Sequence, residues 1–107
     1  MSPTGVSVVL MTAPDEEKAA VMARTLVEEG LIACANLVPG VRSLYRWEGK
    51  VCDEREVLVV MKCDATRFEA LRARVVSLHP YSVPEVLQLD VAAGHQPYLD
   101  WVLGAPP

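Results

Sequence analysis

The amino-acid sequence predicts one α+β domain in which strands and helices follow the order β-α-β-β-α-β. Short β-rich apolar runs alternate with segments whose apolar residues recur at helical spacing. Two consecutive extended segments are separated only by Glu48-Gly49, which suits a two-residue hairpin turn. A chain of 107 residues is enough for one hydrophobic core, so we expect a single domain over residues 1–107.

The first strand and helix are marked by their flanking residues. Residues 6–12 form a short, β-rich run bounded by Gly5 and Pro14, which predicts a buried strand. Pro14 is expected to open a helix, because the three acidic residues after it suit the positive end of the helix dipole. Gly30 stands where a glycine would end this helix. The expected apolar face consists of Ala19, Met22, Ala23 and Leu26.

Residues 33–47 predict an unusually long extended segment, interrupted only at Pro39-Gly40. At about 3.3 Å per residue it would span about 50 Å, whereas a domain of this size has a radius of gyration of about 13 Å. The hairpin formed with the return strand, residues 50–63, should therefore project beyond the core. Projecting strands leave unpaired edges and apolar side chains such as Tyr45 and Trp47. We therefore expect an obligate oligomer.

The second half of the chain predicts a helix, a proline-rich turn, a strand and a final short helix. Asp64 suits the N-cap of a helix whose apolar residues are Phe68, Leu71, Val75 and Leu78. A strand over residues 85–91 follows, and residues 97–103 suit a helix with Tyr98, Trp101 and Val102 on its apolar side. The complete order is that of a ferredoxin-like sandwich, an antiparallel sheet with two helices on one face.

Composition limits the classes of partner and the compartment. The net charge is −4 and no long basic run is present, which argues against nucleic acid and against an anionic membrane. The apolar run at residues 6–11 is too short for a signal or a membrane span. Three cysteines without C-x-x-C spacing are typical of reduced thiols in a cytoplasmic protein.

Residues 79–85 carry the strongest chemical signal. Within seven residues they hold an imidazole (His79), a phenol (Tyr81) and a carboxylate (Glu85), and two prolines stiffen the backbone between them. Such a turn suits a binding site, although it equally suits a helix end with Tyr81 as a packing anchor. Lys62 follows an apolar run, so partial burial would give it a carboxylate partner, for which Glu85 is the obvious candidate. Cys34 is a potential metal ligand, but lone cysteines are more often small buried apolar residues.

The sequence lacks the motifs of several common site types. There is no glycine-rich phosphate loop, no G-x-S-x-G elbow and no C-x-x-C or H-x-x-x-H pair. An enzyme using His79 and Glu85 as acid and base would also need a nucleophile and a substrate that the sequence does not suggest. An enzyme is therefore the least favoured of the functional interpretations.

Six motifs, in order along nearly the whole chain, resemble the CutA divalent-cation tolerance family. They are Val8-Val9-Leu10, Thr12-Ala13-Pro14, Leu31-Ile32-Ala33-Cys34-Ala35-Asn36, Val38-Pro39-Gly40, Tyr45-Arg46-Trp47-Glu48-Gly49-Lys50 and His79-Pro80-Tyr81-Ser82-Val83-Pro84-Glu85. The resemblance implies a cytosolic ferredoxin-like protein that forms a tight homotrimer through long hairpins, with an architecture similar to the PII-type nitrogen regulators. It implies no catalytic activity and no required cofactor.

The same resemblance implies a cleft between neighbouring subunits, lined by polar and aromatic side chains at positions characteristic of the family. In this sequence they fall on Cys34, Tyr45, Trp47, Lys62, His79, Tyr81 and Glu85. Cys52 and Cys63 lie outside the family pattern, and adventitious copper binding is the most we expect of them.

Two functions remain open at this point. The first is divalent-cation tolerance, with Cu(II) or a similar ion bound by Cys34, His79 and Glu85 at or near the cleft. The second is a PII-type sensor or scaffold that binds a small anionic or zwitterionic metabolite. The residues predicted for that pocket are Trp47, Lys62, Tyr81 and Glu85.

Overall fold

A four-stranded antiparallel sheet lies at the centre of the structure, a computed structural model that describes residues 2–104. Its strands, in the spatial order β2-β3-β1-β4, are β1 (Val6–Ala13), β2 (Cys34–Trp47), β3 (Lys50–Asp64) and β4 (Leu87–Asp90). The helices are α1 (Glu16–Glu28), α2 (Phe68–Leu78) and α3 (Gln96–Gly104). The predicted α+β class and order of elements are confirmed. Within the described range, no helix is long and apolar enough to cross a membrane.

The main core lies between the sheet and the helices α1 and α2. Alternate residues of β1 point to this side, and register places a buried β3 residue opposite each one, as in the pair Met11 and Val59. Helix α1 contributes the apolar face that the sequence predicts. The fully or almost fully buried core side chains include Val9, Met11, Leu26, Ile32, Val59, Met61, Leu71 and Val75.

The ends of the helices follow from local sequence, with one correction. Asp15 is the N-cap of α1, so Pro14 does not open the helix but precedes the cap: the Asp15 side chain accepts a hydrogen bond from the Lys18 backbone N–H at 2.8 Å. Gly30 has φ of 73° just after the last turn, as predicted. Asp64 accepts from the Thr66 N–H at 2.9 Å and caps a short 3₁₀ turn that runs into α2.

Strand β4 is shorter than the predicted 85–91. Its ladder with β1 begins at Leu87, opposite Leu10, and extends to Asp90. Pro84 lacks an N–H and fixes its own φ, and Val86 packs against the main core. The residues just before Leu87 therefore belong to the turn and do not pair with β1.

Helix α3 packs on the opposite face of the sheet, which corrects its predicted apolar side. Leu99 and Val102 are buried against Val6, and strand alternation places Val6 on the face away from α1 and α2. Tyr98 and Trp101 are instead exposed and stack on each other with ring centroids 5.9 Å apart. Only one stripe of a short surface helix can face the sheet, and the aliphatic pair occupies it.

The hairpin β2–β3 extends past the rest of the sheet, as predicted. β1 pairs with β3 only as far as Val57, so residues 41–56 form a two-stranded ribbon. A bulge lies between Val38 and Val41, at the predicted Pro39-Gly40 interruption. Glu48 and Gly49 both have positive φ, 50° and 76°, as a type I′ turn requires. The longest dimension is 44 Å against 26 and 23 Å for the other two.

The sheet face opposite α1 and α2 carries apolar side chains that the described residues leave partly open. Helix α3 covers it near Val6, at one end. Farther along, Leu10, Leu58 and Val60 are half-buried, and Val38, Leu87 and Leu89 are exposed. We refer to these six side chains as the open apolar face.

Candidate functional site

A cleft of about 640 Å³ opens between the ribbon and the turn that precedes β4. Three aromatic side chains line it, namely Tyr45, Trp47 and Tyr81. Its charged lining consists of Arg42 and three carboxylates, Glu54, Glu56 and Glu85. The size suits a small organic molecule, and the carboxylates suit a cation.

Strand register brings the ribbon side chains together on one face. Ser43 is opposite Glu54, and Val41 is opposite Glu56. Since directly paired residues of antiparallel strands point the same way, both glutamates share the face of Tyr45. Alternate side chains of β2 therefore contribute aromatic groups to one wall of the cleft, and alternate side chains of β3 contribute carboxylates to the same wall.

Two phenols hold two of the carboxylates in place. Tyr45 Oη donates to Glu54 Oε1 at 3.1 Å, and Tyr81 Oη donates to Glu56 Oε2 at 2.8 Å. The hydrogen bond to Glu54 raises the pKa of Tyr45 to about 12. Burial, followed by the bond to Glu56, raises the pKa of Tyr81. Both phenols are therefore protonated donors at neutral pH, and each bond leaves the second carboxylate oxygen available to a ligand.

His79 fixes the turn that carries Tyr81. The residue is only 8% exposed, and its Nε2 lies 2.7 Å from the carbonyl oxygen of Thr12. The Tyr81 backbone N–H donates to His79 Nδ1 at 3.1 Å. Since Nδ1 accepts a hydrogen bond, the proton of the neutral ring lies on Nε2 and is donated to Thr12. Both ring nitrogens are thus used within the chain, and metal ligation by His79 would require breaking one of these bonds.

Cys34 and Lys62 lie away from the cleft lining, opposite each other in the β2–β3 ladder. The Lys62 ammonium donates to the side-chain oxygen of Asn36. Among residues 2–104 no ion pair joins Lys62 to Glu85, the partner that the sequence suggests. The reason is register: Lys62 is level with Val8 on β1, whereas Glu85 precedes the start of β4 at Leu10.

The thiols differ in accessibility. Cys34 is half-buried, with Sγ 3.6 Å from Tyr98 Oη, and this contact raises the pKa of Tyr98. Cys52 is half-buried in the ribbon opposite Tyr45. Cys63 is fully buried in the main core, and burial raises the pKa of its thiol to about 11. Only the first two are accessible enough to meet a metal ion.

The predicted site residues thus fall into separate groups. Trp47, Tyr81 and Glu85 line one cleft, without Lys62. The predicted metal ligands Cys34, His79 and Glu85 do not converge, because no three His, Cys, Asp or Glu side chains of the described residues are placed to hold an ion. The binding roles of all these residues remain predictions.

The sequence analysis did not single out three charged lining residues, Arg42, Glu54 and Glu56. The signal for the glutamates was their position at alternate residues near the hairpin turn, which places them on the same face of the ribbon as Tyr45 and Trp47. Arg42 makes a bidentate ion pair with Asp53, at 2.9 and 2.7 Å. Its charge is therefore balanced by Asp53, and the carboxylates determine the sign of the cleft.

Comparisons with known proteins agree with this architecture. The family model "CutA1 divalent ion tolerance protein" matches residues 7–105. A divalent-cation tolerance protein CutA from Thermus thermophilus is 50% identical over 95 residues, which are 89% of this chain and 92% of that protein. Human Protein CutA is 44% identical over 94% of this chain, which spans only 56% of the human protein.

Solved structures show the same fold. A divalent cation tolerance protein (Cut A1) from Thermus thermophilus superposes with a TM-score of 0.91 and 46% identity, covering 95% of this chain and 99% of that one. CutA from Pyrococcus horikoshii gives a TM-score of 0.90 with 39% identity, over 94% and 99% of the two chains. By sequence and by structure, the chain belongs to the CutA1 divalent ion tolerance family.

Proposed function

We propose that the protein is a non-catalytic homotrimer that supports divalent-cation tolerance by binding Cu²⁺ or a similar ion at a cleft between subunits. The family is named for tolerance of divalent ions rather than for a reaction. The observation that carries the binding part is the cleft within one chain, where the ribbon and the turn place three carboxylates around one opening; in the proposed trimer a neighbouring subunit borders this cleft. Carboxylate oxygens are common ligands of divalent metal ions, and of the first-row divalent metals Cu²⁺ generally binds a given site most tightly.

The open apolar face and the ribbon support assembly. An exposed apolar surface that includes Leu87 and Leu89 is typical of a surface that contacts another chain. A two-stranded ribbon is marginal in water unless it packs against something else. Neighbouring subunits would cover both features and would add ligands to a metal site that one chain does not complete.

A reducing compartment is part of the proposal. All three cysteines are free thiols, which is typical of cytoplasmic proteins. The net charge of −4 and the acidic cleft favour cations over nucleic acid or anionic membranes as partners.

The test is calorimetric titration of Cu²⁺ and Zn²⁺ into metal-free protein whose subunit number has been measured by sedimentation. Zn²⁺ is included because it cannot oxidise thiols. Glu56→Gln should weaken cation binding about tenfold, since a charge-assisted contact is lost. Glu17→Gln, an exposed charge-matched change at the start of α1, should leave binding unchanged. Full binding by the Glu56→Gln trimer would exclude the cleft, and loss only in Cys34→Ser would move the site to that thiol.

The second candidate function is a PII-type small-molecule sensor using the same cleft. It is favoured by the volume of about 640 Å³, which is larger than an ion needs, and by the aromatic lining. The charges favour a ligand with an ammonium group over the anionic metabolite expected from the sequence. Thermal shift with a library divided by charge tests this, and stabilisation confined to anions would exclude the cleft as the binding site.

A further inference from the structure

We propose that the cleft is a binding site for a short alkyl diamine or polyamine, with two ammonium groups on Glu54 and Glu56 and the alkyl chain on Trp47. This goes beyond metal tolerance, and it holds or fails whether or not copper binds. It rests on three features of the cleft: the sign of its charge, the spacing of two carboxylates and the aromatic groups beside them.

The charge of the lining selects a cationic ligand. Glu54, Glu56 and Glu85 contribute three carboxylates, while the guanidinium of Arg42 is held by both oxygens of Asp53. The phenols of Tyr45 and Tyr81 neutralise nothing, because they donate to the glutamates as neutral groups. An ammonium ligand would supply the missing positive charge and would donate to the two remaining carboxylate oxygens.

The spacing of the two glutamates selects a diamine. Residues two apart on one face of a strand are separated by about 6.8 Å at about 3.4 Å per residue. Five single bonds separate the nitrogens of 1,4-diaminobutane, and at standard bond lengths and angles they span about 6 Å. The hydrogen bonds from the phenols restrain the two carboxylates, and the backbone spacing sets the scale of the distance between them.

The aromatic groups supply a surface for the alkyl part. Trp47 and Tyr45 share a face of β2, and in a single chain, without neighbouring subunits, their exposed fractions are 46% and 40%. An alkylammonium can contact such rings through its methylenes and through the charge–quadrupole attraction. A hydrated metal ion has no alkyl chain to pack on these rings. Dependence of binding on the aromatic residues therefore distinguishes a diamine from a metal ion.

The experiment is calorimetric titration of 1,4-diaminobutane into the metal-free assembled protein, with butylamine, 1,6-diaminohexane and succinate as comparison ligands. The diamine should bind about two- to fivefold more tightly than butylamine, the gain expected from a second partly exposed ion pair. It should also bind more tightly than the longer diamine, and succinate should not bind. Affinity should fall with added NaCl, because the contacts are open to screening.

Variants distinguish binding of the amine at the cleft from its general electrostatic attraction to an acidic protein. Glu54→Gln and Glu56→Gln should each reduce diamine affinity to that of butylamine, and Trp47→Ala should weaken both amines. The charge-matched Glu17→Gln should change neither. Equal affinity for mono- and diamine, insensitivity to the two glutamine variants, or no binding of the diamine at millimolar concentration would each overturn the proposal. Since no metal is present, these outcomes do not depend on the copper titration.

Discussion

His79 offers the sharpest test of how the turn before β4 is held. Replacement by phenylalanine keeps a planar ring beside Tyr81, whose ring centroid lies 4.6 Å away, but removes both hydrogen bonds of the imidazole. The carbonyl of Thr12 and the N–H of Tyr81 would then lose their partners at 2.7 and 3.1 Å. The variant therefore removes two polar contacts with little change in packing.

The magnitude follows from these two backbone groups. A buried polar group left without a partner costs about 1–3 kcal/mol, and both groups here are only partly buried. We expect His79→Phe to lower the free energy of unfolding by about 2–4 kcal/mol. The assay is urea unfolding followed by tryptophan fluorescence, at one subunit concentration because assembly contributes to apparent stability.

The matched control is His95→Phe. His95 is exposed in the loop before α3, and its ring makes no hydrogen bond to the described residues. Its replacement should change stability by less than about 0.5 kcal/mol, as is usual for surface positions. If His79→Phe fell within the same limit, the two hydrogen bonds would not hold the turn, and the position of Tyr81 would need another explanation.

Three further predictions concern the surface, the cleft and the core. Leu89→Glu should dissociate the assembly in sedimentation experiments, because Leu89 belongs to the open apolar face. The control Val76→Glu should not, although in one chain the two side chains are similarly exposed, at 50% and 48%. If both variants behaved alike, the open apolar face would not be part of the interface. Ultraviolet titration of Tyr45 should show a pKa near 12 that Glu54→Gln lowers, and an unchanged pKa would exclude their hydrogen bond as its cause. Because the folded pKa is raised above 10, this contribution to stability is complete below pH 10 and is lost as the pH rises through 12. Cys63 should resist a thiol reagent until the protein is unfolded, unlike the other two cysteines, since its buried thiol has a pKa near 11; fast labelling of three thiols would refute its burial.

Local patterns predicted most of the fold because they are decided by neighbours in sequence. The Asp64 cap, the Gly30 helix end and the Glu48-Gly49 turn each depend on the conformation of a few adjacent residues. The length of the ribbon was equally readable from the extended run in β2. The cap, the helix end and the turn need no long-range contact, whereas the ribbon needs packing against other parts of the protein to be stable.

The sequence-based predictions that were wrong concern contacts that depend on tertiary structure. Tyr98 and Trp101 are the largest apolar groups of α3, yet Leu99 faces the sheet, because the docking angle of a short helix is set by the face it meets. Lys62 and Glu85 were paired by their proximity to strand ends, whereas register separates them along β1. In the cleft, Glu56 meets Tyr81 only after the ribbon and the turn come together, whereas the contact between Glu54 and Tyr45 depends only on the strand register of the ribbon.

The metal and diamine proposals draw on the same carboxylates, so they predict that the two ligands exclude each other. A divalent ion bound through Glu56 would take the oxygens that an ammonium group needs, and it would compete with the Tyr81 phenol for the same side chain. Saturating Zn²⁺ should therefore weaken the apparent affinity for 1,4-diaminobutane by about tenfold or more, as mass action requires for two ligands at one site. If diamine affinity were unchanged while Zn²⁺ remained bound, the metal would have to sit elsewhere, and the half-buried thiol of Cys34, beside Tyr98, would become the first position to test.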